Sequence, residues 1–181
     1  LFISQDNGAN FARSNFTVPE NLDVDEADYV YVLPVINAFS FHPTDSDRLA
    51  VALNFHGAYE SRDGGVTWQN LYGDLNVPVP DQNGAWVHSG LDLVYDEASP
   101  GTMVMAVLQE GLYRTTNEGS NWVLVGESVQ PSNPASILRV DLASLPGSPG
   151  TLLALEDDYA LLQSTDSGAT WAPLDPQPQI S

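Results

Sequence analysis

The chain has 181 residues, 43% of them apolar and 16% charged, and a formal charge of −19 from 24 carboxylates against five arginines and no lysine. That composition fits one globular domain rather than a disordered chain, and a field of that sign repels phosphate backbones and anionic lipid, so neither nucleic acid nor a membrane is expected as a partner. The absence of cysteine excludes disulfides, thiolate metal sites and cysteine nucleophiles, and no run reaches the ~18–20 apolar residues of a membrane span.

Taken in chain order, the first element is a turn, "SQDNGANF" (Ser4 to Phe11), and it recurs. "SRDGGVTW" runs from Ser61 to Trp68, "TTNEGSNW" from Thr115 to Trp122 and "STDSGATW" from Ser164 to Trp171. The third letters, Asp6, Asp63, Asn117 and Asp166, fall at near-regular intervals of about 50 residues, the sign of a repeat architecture. Around the last three copies the flanks repeat as well. An alternating strand ("INAFSF", "LDLVYD", "ILRVDL"), a turn bearing Pro or Gly, an apolar run and a second alternating strand lead into the box, and a short apolar piece follows it. This predicts four short strands per unit and no helix: all-β, a propeller-like array of four-stranded antiparallel blades. Full blades are expected over 35–72, 88–125 and 137–175, and a half blade over 1–18, about three and a half in all, within a larger propeller.

Each box is expected on the hairpin between the third and fourth strands. The carboxylate of Asp6, Asp63 or Asp166, or the amide oxygen of Asn117, accepts backbone N–H groups across the turn. Gly8, Gly65, Gly119 and Gly168 supply positive φ. The hydroxyls of Ser4, Ser61, Thr115 and Ser164 add a local bond. Phe11, Trp68, Trp122 and Trp171 re-enter the sheet to pack on the next blade.

These boxes resemble those of the Asp-box, or BNR-repeat, family, whose members include sialidases, xyloglucan-type glycoside hydrolases, the sortilin luminal domain and a photosystem II assembly factor. The resemblance covers almost the whole chain, most closely at the second and fourth boxes. It implies a β-propeller with the boxes on the rim, serving folding rather than catalysis, and leaves activity open.

Three long linkers, 18–34, 72–88 and 126–136, belong to the opposite face, where function is expected. The candidate ligand face is Tyr29, Tyr31, Trp86 and His88, as an aromatic platform for carbohydrate or protein, or simply a cover for the blade tops. Asp23, Asp25, Glu26 and Asp28 offer oxygens to a Ca²⁺ but lack the turn glycine and closing glutamate of an EF-hand loop; a solvated acidic loop is the plainer reading. No other cofactor is expected. Asp92 and Asp141, on first strands, are the nameable carboxylates for a glycosidase, with outward strand positions as the alternative. A sialidase needs three arginines at its site, whereas Arg62 and Arg114 stand in or beside box turns. His42, His56 and His88 lie in separate units with no zinc spacing, and His42 fits a structural turn. Asn15 begins a glycosylation sequon.

Two functions follow from this. One is an exported, non-catalytic module for protein or carbohydrate binding or scaffolding; the other is a piece of a secreted glycoside hydrolase with catalytic residues partly elsewhere. Opening on Leu1, the chain reads as processed or as part of a longer one. Its open blade edges are expected to pair with another chain, another copy or missing blades. Screening of the excess negative charge by salt is expected to raise its melting temperature.

Overall fold

The computed structural model describes residues 2–4, 6–16, 35–53, 57–71, 75, 90–107, 110–126, 140–156 and 161–175. Within them lie fourteen strands and no helix: β1 (Phe2–Ile3), β2 (Ala12–Arg13), β3 (Ile36–Phe41), β4 (Leu49–Leu53), β5 (Gly57–Ser61), β6 (Gln69–Asn70), β7 (Gly90–Tyr95), β8 (Met103–Val107), β9 (Gly111–Thr115), β10 (Val123–Gly126), β11 (Val140–Ser144), β12 (Leu152–Glu156), β13 (Leu161–Ser164) and β14 (Ala172–Pro173). They form three four-stranded antiparallel meanders, β3–β6, β7–β10 and β11–β14, preceded by the two-stranded hairpin β1–β2.

The meanders stack face to face, with β3 beside β7 and β7 beside β11, so the sheets fan out from a row of first strands. We call them the first, second and third blades and β1–β2 the half blade. Period-2 alternation explains why the second strands are apolar without a break. In β4, Ala50 and Ala52 face the second blade and Val51 and Leu53 face the half blade; in β8, Met103, Met105 and Val107 turn back to the first blade, while Val104 and Ala106 meet the third. Every residue of β4 and β8 is buried. Burying a side chain of this size contributes about 1.5–3 kcal/mol, so these central strands anchor the stack.

The inner strands are also tied by polar bonds. Tyr95 N–H of β7 donates to Ser40 Oγ of β3 at 3.3 Å. Leu142 N–H of β11 donates to Asp92 Oδ2 of β7 at 2.6 Å. Tight turns join first to second strands: in the first blade His42 Nδ1 accepts the Asp45 N–H at 3.1 Å and the Thr44 N–H at 3.4 Å, while the ring packs edge-on against Tyr95. Burial holds the pKa of His42 below its ordinary value, so it is neutral in its structural turn.

Candidate functional site

All four boxes occupy the hairpin between the third and fourth strands of a blade, or between β1 and β2 in the half blade. Their internal geometry repeats closely. The hydroxyl of Ser4, Ser61, Thr115 or Ser164 donates to the oxygen of Asp6, Asp63, Asn117 or Asp166 at 2.8–2.9 Å. The same hydroxyl accepts the N–H of Gly8, Gly65, Gly119 or Gly168 at 2.7–3.1 Å. The carboxylate or amide oxygen accepts the N–H four residues on, from Asn10, Thr67, Asn121 or Thr170, at 2.8–2.9 Å. The side chain of that seventh residue bonds the third as well. Asn10 Nδ2 donates to Asp6, whereas at the third box Asn117 Nδ2 donates to Asn121 Oδ1, so donor and acceptor are exchanged. The seventh position escapes a reading centred on Asp and Gly, yet all four copies place Asn or Thr there.

These bonds favour the ionised carboxylate. The Asn10 amide holds Asp6 below the usual range, the Thr67 hydroxyl does the same for Asp63, and that of Thr170 pulls Asp166 down to about 2.

Two consecutive residues in each box are left-handed. Gly8, Gly65, Gly119 and Gly168 have φ of 80° to 88°, and before them Asn7, Gly64, Glu118 and Ser167 have φ of 56° to 69°. In the complete blades the N–H of this fourth residue docks onto the turn joining the first two strands: Gly64 on Asp47 O, Glu118 on Gly101 O and Ser167 on Gly150 O, at 2.8–2.9 Å. The box therefore clamps one blade's two hairpins together. It also contacts the preceding blade. A Cβ on Gly119 would meet Leu71, one on Gly168 would meet Val104, and one on Gly65 would meet Ile3, all at 2.8 Å or less.

The tryptophans correct one expectation. They pack on the preceding unit rather than the next. Trp68 bonds Ser14 Oγ and stacks edge-on against Phe16 of the half-blade segment; Trp122 donates to Leu71 O of the first blade at 2.9 Å; Trp171 joins the core between second and third blades. The fourth strand emerges on the side that faces backward along the chain. Phe11, with no unit before it among the described residues, is exposed.

The densest charged site lies between the first two blades. Glu60 of β5 is wholly buried and accepts from Arg48 Nη2 at 2.6 Å, Arg62 Nε at 2.6 Å, Tyr95 Oη at 2.7 Å and Gln69 Nε2 at 3.3 Å. Arg48 and Arg62 reach on to Glu118 of the third box at 3.1 and 3.0 Å. Burial alone would raise the Glu60 pKa, but the donors outweigh it and hold it low; burial and Glu60 together push the Tyr95 hydroxyl up. The arrangement fixes Glu118 in its left-handed conformation and seats the third box. It leaves no carboxyl oxygen open for acid–base work. The signal for it was an ionisable residue inside the apolar strand "GAYES", which needs countercharge.

The remaining candidates divide as follows. Asp92 is half-buried, with Oδ1 on Leu93 N–H and Oδ2 on Leu142 N–H. Asp141 is exposed on β11. Arg114 Nε donates to Ser167 O of the fourth box at 2.7 Å. Between the first two boxes, Ile3, Phe11, Arg13 and Gly65 border an open groove of about 360 Å³. The ligand-face candidates Tyr29, Tyr31, Trp86 and His88 and the Ca²⁺ candidates Asp23, Asp25, Glu26 and Asp28 lie outside the described residues, as does His56.

No family model matches the chain and no curated protein matches it. Solved structures do. The GH74 xyloglucanase of Xanthomonas campestris superimposes with a TM-score of 0.54 at 18% identity, over 80% of this chain and 24% of its own. YCF48 of Cyanidioschyzon merolae superimposes with a TM-score of 0.51 at 16% identity, over 78% of this chain and 37% of its own. A structure of YCF48 bound to D1 peptide gives 0.51 at 18%, over 77% and 40%. The chain thus spans between about a quarter and two fifths of these proteins. At such identities the likeness speaks for architecture: the described strands have the fold of a β-propeller, as blades of the kind found both in a glycoside hydrolase and in a peptide-binding protein.

Proposed function

We propose that this chain is an Asp-box propeller segment of a larger ring, acting outside the cytoplasm as a non-catalytic module that binds or scaffolds polypeptide. The observation that carries this reading is the use of Asp92. Both of its oxygens accept backbone N–H groups, one of them from the neighbouring blade, so one of the two nameable carboxylates is spent on joining first strands. The repeated boxes, with their hydroxyl, carboxylate and two left-handed residues, support membership of the Asp-box family and have a wholly structural geometry. Polypeptide is favoured over carbohydrate because one of the propellers it resembles was solved with a peptide bound.

A second reading, part of a glycoside hydrolase, draws on the likeness to a xyloglucanase, whose TM-score is slightly the higher; the cleft carboxylates would then lie partly beyond this chain. The two separate in one experiment. The chain is applied to an array of short synthetic peptides and, in parallel, incubated with xyloglucan while reducing ends are measured. Saturable peptide binding with no sugar release is expected. Release of reducing ends above a heat-inactivated control would overturn the proposal.

A further inference from the structure

The last strands of the sheets, β2, β6, β10 and β14, form the perimeter of the array, and among the described residues none has a neighbouring strand on its outer side. Such an edge recruits further strands unless something deters them: shortness, polar or charged side chains, or proline. Three of the four are deterred. β2 and β6 are two residues long and carry Arg13 and the polar pair Gln69–Asn70. β14 is equally short and contains Pro173, which has no N–H to offer. β10 differs from all of them. It runs for four residues, Val123–Gly126, and Val123 and Leu124 are 64% and 36% exposed. Its bulge falls between Leu124 and Gly126, where Val125 turns into the core between the second and third blades. Regular pairing, Val123 with Arg114 and Leu124 with Tyr113, is kept at the end next to the box. Successive residues of an antiparallel strand alternate in the side to which their main-chain groups point, so one of Val123 and Leu124 offers its N–H and C=O outward.

Charge supplies a second, independent observation. In a chain of formal charge −19, the surroundings of this strand are balanced. The box that leads into β10 is the one with Asn117 in place of aspartate, and its partner is the neutral Asn121. The ionisable groups of β9, of this box and of the adjoining clasp are Arg48, Arg62 and Arg114 against Glu60, Glu110 and Glu118. Glu118 is matched by Arg48 and Arg62, Glu110 receives the Tyr113 hydroxyl, and Arg114 is turned to Ser167 O. An uncharged apolar segment reaches β10 without stripping water from an unmatched ion. A second folded copy is a poorer occupant. Two chains of the same strong charge repel each other, and a four-residue edge falls well short of the ~1,200–2,000 Å² buried by stable protein pairs.

We propose that the outer edge of β10 captures an extended polypeptide segment as an added strand of the second blade, the segment being apolar and uncharged where it lies beside Val123 and Leu124. This rests on the polypeptide-binding reading and names the place and manner of binding. Main-chain bonds along the edge supply affinity, as in other strand additions. Side chains of the segment alternate between the two faces of the sheet, so that successive ones meet Val123 and Leu124 in turn. The bulge at Val125 sets the upper limit of the added strand and the third box sets the lower one.

The probe is a short, fluorescently labelled peptide of alternating valine and threonine, titrated into the whole chain beside a twin N-methylated at every amide. Saturable one-to-one binding of the first is expected, with slowed exchange at the outward amide of Val123 or Leu124. The twin is more apolar but has no N–H to donate, and it should bind at least tenfold more weakly. Val123→Glu alters an exposed side chain and should keep the exchange protection of β8 while weakening binding at least tenfold. Ala172→Glu, on the perimeter of the third blade, should leave binding unchanged. Absence of binding, equal binding of the methylated twin, or indifference to Val123→Glu sinks the proposal. So does dimerisation in light scattering that Val123→Glu abolishes, since a second copy is then the occupant. So too does an outward amide already as protected in the free chain as those of β8, since the chain then covers its own edge. If peptides from the array bind and Val123→Glu leaves them bound, the polypeptide-binding reading stands and this inference alone fails.

Discussion

The first box, Ser4–Phe11, and the third, Thr115–Trp122, share their internal hydrogen bonds, save that one side-chain bond runs in the opposite direction, and differ in everything around them. At the first, Phe11 is 64% exposed and Gly8 has no atom near where a Cβ would stand. At the third, Trp122 is 6% exposed, its indole N–H is bound to Leu71 O, and Gly119 lies against Leu71. The turn therefore folds on its own local bonds, and a preceding blade is what converts it into an interface. A hydrogen-bonded staple is a property of the eight residues; burial is a property of their position in the row.

That comparison breaks most forcefully at the residue just before the box. In the first blade this is Glu60, in the half blade Ile3. Glu60→Ala leaves Arg48 almost buried without its main partner, and loss of one member of a buried ion cluster costs about 3–5 kcal/mol. Ile3→Ala, half-buried and apolar, should cost about 1 kcal/mol. Urea denaturation of both variants measures the difference, and equal losses would mean that the clasp contributes nothing at the interface.

The glycines come next. Alanine at φ near 80° costs about 1–2 kcal/mol anywhere, and that is the whole expectation for Gly8→Ala. Gly168→Ala adds contact with Val104 Cγ2 at 2.4 Å and with Leu152 at 3.2 Å, and overpacking of that kind costs about 1–3 kcal/mol more. Gly65→Ala should fall between them, since Ile3 at the half blade has room to move. If Gly8→Ala proves as costly as Gly168→Ala, the docking of boxes on preceding blades has no energetic weight. Smaller again is Trp122→Phe, which leaves the buried Leu71 carbonyl without its indole donor, worth about 1–3 kcal/mol; Phe11→Leu, on the exposed counterpart, should stay within about 0.5 kcal/mol.

These contrasts also explain what could be read in the sequence. The boxes repeat because each turn must satisfy the same backbone amides with the same reach, and a repeated physical problem leaves a repeated spelling. Blade architecture and the placing of boxes between third and fourth strands were legible for that reason. The residue before the box is Ile3, Glu60, Arg114 and Gln163 in the four copies, and no pattern links them. Three of them fit three different neighbours: Ile3 meets Gly65, Glu60 meets Tyr95, and Arg114 meets Ser167 O. The contacts of this residue are solved once each, so the Glu60 clasp emerges only with the sheets in place; the backward packing of the tryptophans repeats, but the box letters do not spell its direction. The seventh box position is the intermediate case. Asn10, Thr67, Asn121 and Thr170 share a polar reach without sharing a residue type.

That seventh position sharpens the comparison to its smallest effect. The first, second and fourth boxes hold carboxylates with lowered pKa values, Asp166 at about 2, while the third holds neutral Asn117. A carboxylate with a lowered folded pKa stabilises the fold fully above its unfolded value of about 3.9, and that contribution is lost as pH falls through the folded value. Glu60, also held low, acts with the same sign. So does neutral His42, whose contribution begins to fall below about pH 6.5. Stability should therefore decline on acidification, chiefly below about pH 4.5. Asn117→Asp tests the box component alone. Its carboxylate can no longer donate to Asn121, but the Asn121 amide can turn and donate instead, as Asn10 does to Asp6. At pH 7 the variant should match the parent within about 0.5 kcal/mol. Between about pH 4.5 and pH 2 it should lose stability faster than the parent, because one more held carboxylate must take a proton. Parallel pH profiles would show that the box oxygen is indifferent to charge, and that the three aspartates are held by geometry alone.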